Sequence, residues 1–110
     1  MRAARLRRSS DIATLRAEGR SHRRTAFTAR VRLTGRRETR LAVTAPRAVG
    51  RAVVRNRARR RVREAFRRAI ASGAPTTGLD LLVTARAEAA TAQFDVLLAD
   101  ATAVLRETKA

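Results

Sequence analysis

Ten arginines and a single glutamate lie between residues 47 and 68, around the run Arg55-Asn56-Arg57-Ala58-Arg59-Arg60-Arg61-Val62-Arg63-Glu64. A guanidinium is planar, always charged, and presents a fork of N–H donors that matches two phosphate oxygens. A dense, regular array of such groups is what a polyphosphate backbone attracts, through neutralisation and release of counterions. Asn56 sits between arginines and carries both a donor and an acceptor, so it could read a base, a sugar or a structural feature. Bond-breaking chemistry is not indicated. No carboxylates are spaced to hold two metal ions, the lone His22 has no evident partner, and the chain has no cysteine. A surface charged only for solubility usually mixes both signs, whereas Glu64 stands alone among cations.

The elements that must position these groups follow from periodicity. At 100° per residue, Val54, Ala58, Val62, Ala65, Phe66, Ala69 and Ile70 fall in one stripe, with Asn56, Arg60, Arg63 and Arg67 on the far side. The spacing predicts an amphipathic helix from about Gly50 to Ala71, closed by Gly73 and Pro75. Before it, Phe27, Ala29, Val31 and Leu33 alternate with Thr28, Arg30 and Arg32, and Leu41, Val43 and Ala45 alternate with Arg40, Ala42 and Thr44. These are two half-buried strands, expected to pair as an antiparallel hairpin across Thr34-Gly35-Arg36-Arg37. Residues 79–86 read as a buried strand. A last helix is expected from near Thr91 to near Glu107, with Phe94, Leu97, Leu98, Ala101 and Leu105 on its apolar face. Near the start, Ser9-Ser10-Asp11 offers N-cap chemistry to a short helix carrying Ile12 and Leu15, with Gly19 as its positive-φ terminator. Residues 1–8 are expected to form a mobile basic arm, and His22 to be a polar loop residue. The order α-β-β-α-β-α predicts a single α+β domain over residues 1–110, built as a two-layer sandwich.

The net charge is +17, and its distribution is lopsided: residues 47–68 carry +9 while residues 69–110 carry −2. Such asymmetry favours one binding surface over a uniformly adhesive coat. Arg outnumbers Lys 25 to 1, which suits bidentate phosphate contacts and stacking on bases. No apolar run approaches the ~18 residues that would span a bilayer, and no apolar signal core follows the basic N-terminus, so a cytoplasmic protein with no membrane partner is expected. RNA fits better than duplex DNA. No short helix precedes the basic helix at helix-turn-helix spacing, and cations also occupy the arm and the strands, as recognition of a folded RNA by shape would require.

The stretch Val49-Gly50-Arg51-Ala52-Val53-Val54-Arg55-Asn56-Arg57-Ala58-Arg59-Arg60-Arg61-Val62-Arg63-Glu64-Ala65-Phe66-Arg67 resembles the signature of the bacterial ribonuclease P protein subunit family, whose hallmark is an Arg-Asn-Arg run on a long helix. Arg5-Leu6-Arg7 with Asp11, Leu15 and Gly19, then Phe27, residues 40–44 and residues 79–86, resemble successive elements of the same family. The resemblance implies an accessory subunit of an endoribonuclease that removes the 5′ leader from precursor tRNA. The catalytic RNA subunit would carry the active site and use Mg²⁺. This chain would hold no catalytic residue and no metal, and would require no protein partner.

By the same resemblance the RNA-binding residues are Arg51, Arg55, Asn56, Arg57, Arg59, Arg60, Arg61, Arg63 and Arg67. The cleft for a single-stranded leader would draw on Ile12, Arg16, Phe27, Arg30 and Arg47. Ile12 and Arg16 stand where the family often has aromatics, and Arg16 could stack on a base or contact phosphate instead. The implied fold is shared with a domain of a small-subunit ribosomal protein and includes a left-handed β-α-β crossover, against the usual right-handed rule. Two rival readings carry the same charge logic: a ribosomal or other structural RNA-binding protein, and a DNA-binding regulator.

Overall fold

The computed structural model describes residues 3–73 and 78–108. Its elements, in chain order, are β1 (Ala4–Arg5), α1 (Ser9–Glu18), β2 (Arg20–Arg23), β3 (Phe27–Leu33), β4 (Arg40–Thr44), α2 (Ala52–Ala71), β5 (Leu79–Ala85) and α3 (Phe94–Glu107). Short 3₁₀ turns over Arg47–Val49 and Ala87–Ala90 lead into α2 and α3. The strands form one mixed sheet in the order β1-β4-β5-β3-β2.

The expected hairpin between β3 and β4 does not form. β5 lies between them, antiparallel to β3 and parallel to β4. Composition explains the choice. Leu79 to Val83 are buried without interruption, so β5 has apolar side chains to offer both faces and takes the centre. β3 and β4 alternate apolar with cationic residues and fit one covered face each, so they flank it. β3 instead forms its hairpin with β2, pairing Arg23 with Thr28 and Arg20 with Val31. The parallel β4–α2–β5 connection carries the basic helix across the sheet.

One face of the sheet packs on α2 and α3 around Phe27, Val31, Leu81 and Val83 from the strands and Val62, Phe66, Ile70, Leu97 and Leu105 from the helices. Phe27 and Phe66 meet edge to face at 5.1 Å between ring centroids. Within the predicted stripe of α2, all residues from Ala58 to Ile70 are buried, but Val54 is 37 % exposed because the first turn of the helix runs past the core. Phe94 is only half-buried at the edge of that core, and the Arg68 guanidinium lies 4.8 Å from its ring centroid.

The opposite face carries α1. Leu6, Leu15 and Leu82 form a second, smaller apolar cluster there, with Ile12 and Ala42 against it. Under α1, Arg40 places Nε 2.8 Å and Nη2 2.7 Å from the two Asp80 oxygens, and Nη1 3.1 Å from Asp11 Oδ2. Asp11 therefore serves this ion triad, and no side chain caps α1, which begins two residues earlier than its expected cap. Gly19 closes α1 with φ −70°, not in the left-handed region; an added Cβ would lie 2.4 Å from the Leu15 carbonyl oxygen, and that close approach is what requires glycine. Gly73 ends α2 at φ +89°, and Pro75 lies outside the described residues.

Two further expectations change. Within the basic arm, Met1 and Arg2 lie outside the described residues, but Ala4 and Arg5 pair in parallel with β4 and Leu6 is buried, so this part is an edge strand. The cause is Leu6, the one bulky apolar residue among the arginines, which fills the gap beside Leu15 and Leu82. His22 lies in β2 rather than a loop. It is buried, with Nδ1 3.3 Å from Glu107 Oε1, and Arg24 Nη2 lies 2.6 Å from Glu107 Oε2. Together they fasten the edge strand to the end of α3. No helix among the described residues is long and apolar enough to cross a membrane.

Candidate nucleic-acid interface

Burying the apolar stripe of α2 against the sheet leaves its arginines in three rows. The outermost row holds Asn56, Arg60 and Arg67, all exposed. Arg60 has no partner among the described residues, Arg59 donates to Asn56 Oδ1 over 2.7 Å, and Arg67 and Arg68 share Glu64 at 2.9 and 3.0 Å. The Asn56 amide nitrogen stays unengaged, and the only carboxylate on this face is split between two exposed arginines. Ion pairs of that kind contribute little, typically under ~1 kcal/mol.

The second row leans toward α3. Arg57 Nε donates to the Ala90 carbonyl over 2.8 Å, and Arg61 Nη1 and Nη2 donate to the carbonyls of Ala89 and Ala92. The short 3₁₀ turn before α3 supplies these acceptors because its carbonyls are not consumed by a longer helix. The third row, Arg55, Arg59 and Arg63, leans toward β4. Arg55 Nε donates to the Ala45 carbonyl over 3.1 Å, and Arg63 is held below its ordinary pKa by partial burial first and then by Arg5, Arg59 and Arg67. Arg51 stands exposed at the N-cap of α2. All nine candidate RNA-binding residues are thus on one helix and its lead-in, fanned around a single outward surface. None is folded against a buried carboxylate.

The leader-cleft candidates divide. Ile12, Arg16 and Arg30 come together on the α1 face, where Arg30 Nη1 donates to the Arg16 carbonyl over 3.2 Å. Arg47 is exposed in the turn after β4. Phe27 does not belong with them. It points to the opposite face of the sheet and is 0 % exposed, because its position in the alternation of β3 sets it toward Phe66.

Sequence reasoning missed a row of threonines. Thr28, Thr84 and Thr44 are direct cross-strand neighbours on β3, β5 and β4. They share the face that α1 covers, but α1 reaches only the neighbouring rows around Leu82 and Asp80, so their hydroxyls remain accessible. An open groove of about 380 Å³ passes beside this row, lined by Thr28, Thr84, Pro46, Val49, Arg86 and Glu88. The alternation of each strand marked the threonines as one-sided, but only the pairing order reveals that they align. A larger opening of about 500 Å³ between the β2–β3 turn and α3 sets Arg23, Arg24 and Arg86 against Glu88 and Asp100, so its charge is mixed. The described residues include no group of three or more acidic, His or Cys side chains that could hold a metal ion. Asp11 and Asp80 are consumed by Arg40, and Glu107 by His22 and Arg24.

Comparison with known proteins places this geometry. A family model described as Ribonuclease P matches residues 1–109. The chain is 42 % identical over 107 residues to the ribonuclease P protein component of Chloroflexus aurantiacus, covering 96 % of this chain and 78 % of that protein. It is 44 % identical over 108 residues to the protein of the same description from Chloroflexus aggregans, with the same coverage of each. Among solved structures, the RNase P protein from Thermotoga maritima superposes with a TM-score of 0.80 at 28 % identity, covering 96 % of this chain and 98 % of that one. The Staphylococcus aureus RNase P protein shares the fold, with a TM-score of 0.75 at 23 % identity over 96 % of this chain and 94 % of that one.

Proposed function

This chain belongs to the ribonuclease P protein component family, and from that membership we propose that it binds both the catalytic RNA and the 5′ leader of precursor tRNA. It is in that case a subunit of the endoribonuclease that matures tRNA 5′ ends. The observation that carries this reading is the match along the whole chain, joined to an outward arginine surface on α2 that no carboxylate of the core neutralises. The arginines of α2 grip the folded catalytic RNA, with Asn56 free to donate to a base or sugar edge. The face beside α1 takes the leader as a single strand: Arg16 and Arg30 flank one side, the threonine row offers hydroxyls, and Arg47 and Arg86 supply charge at the far end. With Ile12 and Arg16 on α1, hydrogen bonds and guanidinium stacking replace aromatic stacking there.

Cleavage itself belongs to the RNA subunit in this reading. Magnesium is the ion the family implies, but the acidic residues described here do not fit a site for it, each being engaged by a cation or isolated. The contribution of this chain is electrostatic and positional. It lowers the repulsion between two polyanions and holds one of them in register. The setting is the cytoplasm, where both RNAs reside.

The test is reconstitution. The protein is mixed with a bacterial ribonuclease P RNA and a precursor tRNA at low Mg²⁺, and release of the leader is followed. Stimulated release is the expected result. Unstimulated release, together with tight and selective binding to ribosomal RNA, would overturn the proposal in favour of a structural RNA-binding role.

A further inference from the structure

We infer that the crevice between β1 and α2, bounded by Arg5, Arg63 and Arg67, is a phosphate site that ties the N-terminal strand to the basic helix. The inference rests on the RNA-binding reading of α2 and adds a residue outside that helix to it. Register puts the residues together. Arg5 pairs with Leu41, and Leu41 faces the α2 side of the sheet, so Arg5 faces α2 while its neighbour Leu6 turns to the α1 side. The opening between them holds about 120 Å³ and is lined by Ala3, Ala4, Arg5, Leu41, Arg63 and Arg67. No carboxylate lines it. The one acid that Arg67 touches, Glu64, is not part of the lining.

Arg63 sits deepest and has no hydrogen-bond or ion-pair partner among the described residues. Burial and the charges of Arg5, Arg59 and Arg67 all disfavour its charged form. Crowding like charges in a partly dry crevice is unfavourable, and the remedy such a geometry accepts is an anion with several acceptor oxygens. A phosphate group fits that description. β1 itself is held by little: the amide of Ala4 on the Thr39 carbonyl at 2.8 Å, that of Leu6 on the Leu41 carbonyl at 3.0 Å, and the Leu6 side chain. A phosphate bridging Arg5 to Arg63 would add a charged link across the same seam. The phosphate can be a phosphodiester of a bound RNA or a free inorganic ion.

The experiment is a salt titration of binding between the full chain and a bacterial ribonuclease P RNA, for the wild type, Arg5→Gln, Arg63→Gln, the double variant, and Arg60→Gln alone and with Arg5→Gln. Each single change is expected to lower affinity about tenfold, as loss of a charge-assisted contact does. If Arg5 and Arg63 share one phosphate, the double variant falls well short of the product of the two losses, and the log–log salt slope drops by about 0.7–0.9, the value for one phosphate. Arg60→Gln with Arg5→Gln should multiply fully. Hydrogen exchange at the Leu6 amide reports whether β1 stays docked in Arg5→Gln. If it does not, Arg5→Lys replaces it, with a several-fold loss expected from the missing fork.

Inorganic phosphate titrated against the Nε–Hε resonances of the free protein separates the sources. Joint shifts of Arg5 and Arg63 mean the site takes the free ion as well, and no shift alongside the coupled RNA losses assigns it to the RNA backbone. Undiminished RNA affinity in Arg5→Gln, or fully multiplicative losses for Arg5 and Arg63, would overturn the crevice while α2 stands. Unchanged affinity in Arg60→Gln as well would remove the reading of α2 itself.

Discussion

Replacing Arg40 with Met should be the most destabilising single polar change available near the site. The Arg40 side chain is 12 % exposed and the Asp80 side chain 3 %, and the two are joined by a bidentate pair at 2.8 and 2.7 Å. The Asp80 hydrogen bond is the main reason Arg40 binds its proton more tightly than an ordinary guanidinium, and burial works against it. Removing the arginine strands a carboxylate in the interior between α1 and the sheet. Breaking one partner of a buried pair costs about 3–5 kcal/mol, against a total stability of ~5–15 kcal/mol for a domain of this kind. Asp11, with its side chain 24 % exposed, would also lose its partner, at lower cost since water can reach it. If the penalty comes from the stranded charge, Arg40→Met with Asp80→Leu should recover most of it, because apolar replacement of a whole buried pair is often neutral or better. Urea unfolding followed by circular dichroism gives each free energy. A loss below ~1 kcal/mol in Arg40→Met, or a double variant as unstable as the single one, would refute the reasoning.

Two other outcomes are expected. Changing Arg57, Arg60 and Arg63 together to Ala should leave the circular dichroism spectrum of the fold in place but flatten the log–log salt dependence of RNA binding by about 2, at 0.7–0.9 per phosphate released. An unchanged slope would remove this face from the interface. Glu107 is held below its ordinary value of 4.5, chiefly by the Arg24 hydrogen bond and further by His22. Its contribution to stability is therefore full above the unfolded value and is lost as pH falls below about 4.5 through the folded one. Glu107→Gln should melt with a shallower dependence on pH between 3 and 5 than the wild type, and parallel curves would show that the Arg24–His22 clasp is not what Glu107 serves.

Periodicity alone located α2, β3, β4, β5 and α3 to within a few residues, because each buries a stripe or a face against one core. It could not rank the strands. That order turns on β5 being apolar on both sides, a property visible in the run Leu79 to Val83 but weaker as a signal than the Gly35 turn that suggested a hairpin. β2 carries no alternation at all in Arg20-Ser21-His22-Arg23. Its extended form comes from pairing with β3, and its one buried side chain is the histidine. β1 was hidden among arginines, where Leu6 was the only hint. The cationic residues of α2 were legible since a helix projects its pattern without help from other elements. The threonine row, the Arg40 triad and the Arg5 crevice were not, because each is assembled from residues far apart in sequence whose meeting depends on strand register.

The carbonyl tethers of Arg57 and Arg61 bear on how tightly the helix can hold its ligand. A free arginine side chain carries roughly 2 kcal/mol of rotamer entropy, much of which is surrendered when it is immobilised at an interface. Both side chains are already restrained by the backbone ahead of α3, so part of that loss falls on folding instead of on association. Neither is spent by the arrangement. A guanidinium has five N–H donors; Arg57 commits only Nε–H, and Arg61 commits one on each terminal nitrogen, so both keep hydrogens for an incoming oxygen. Loosening that turn, with every arginine retained, would therefore weaken the grip through disorder alone.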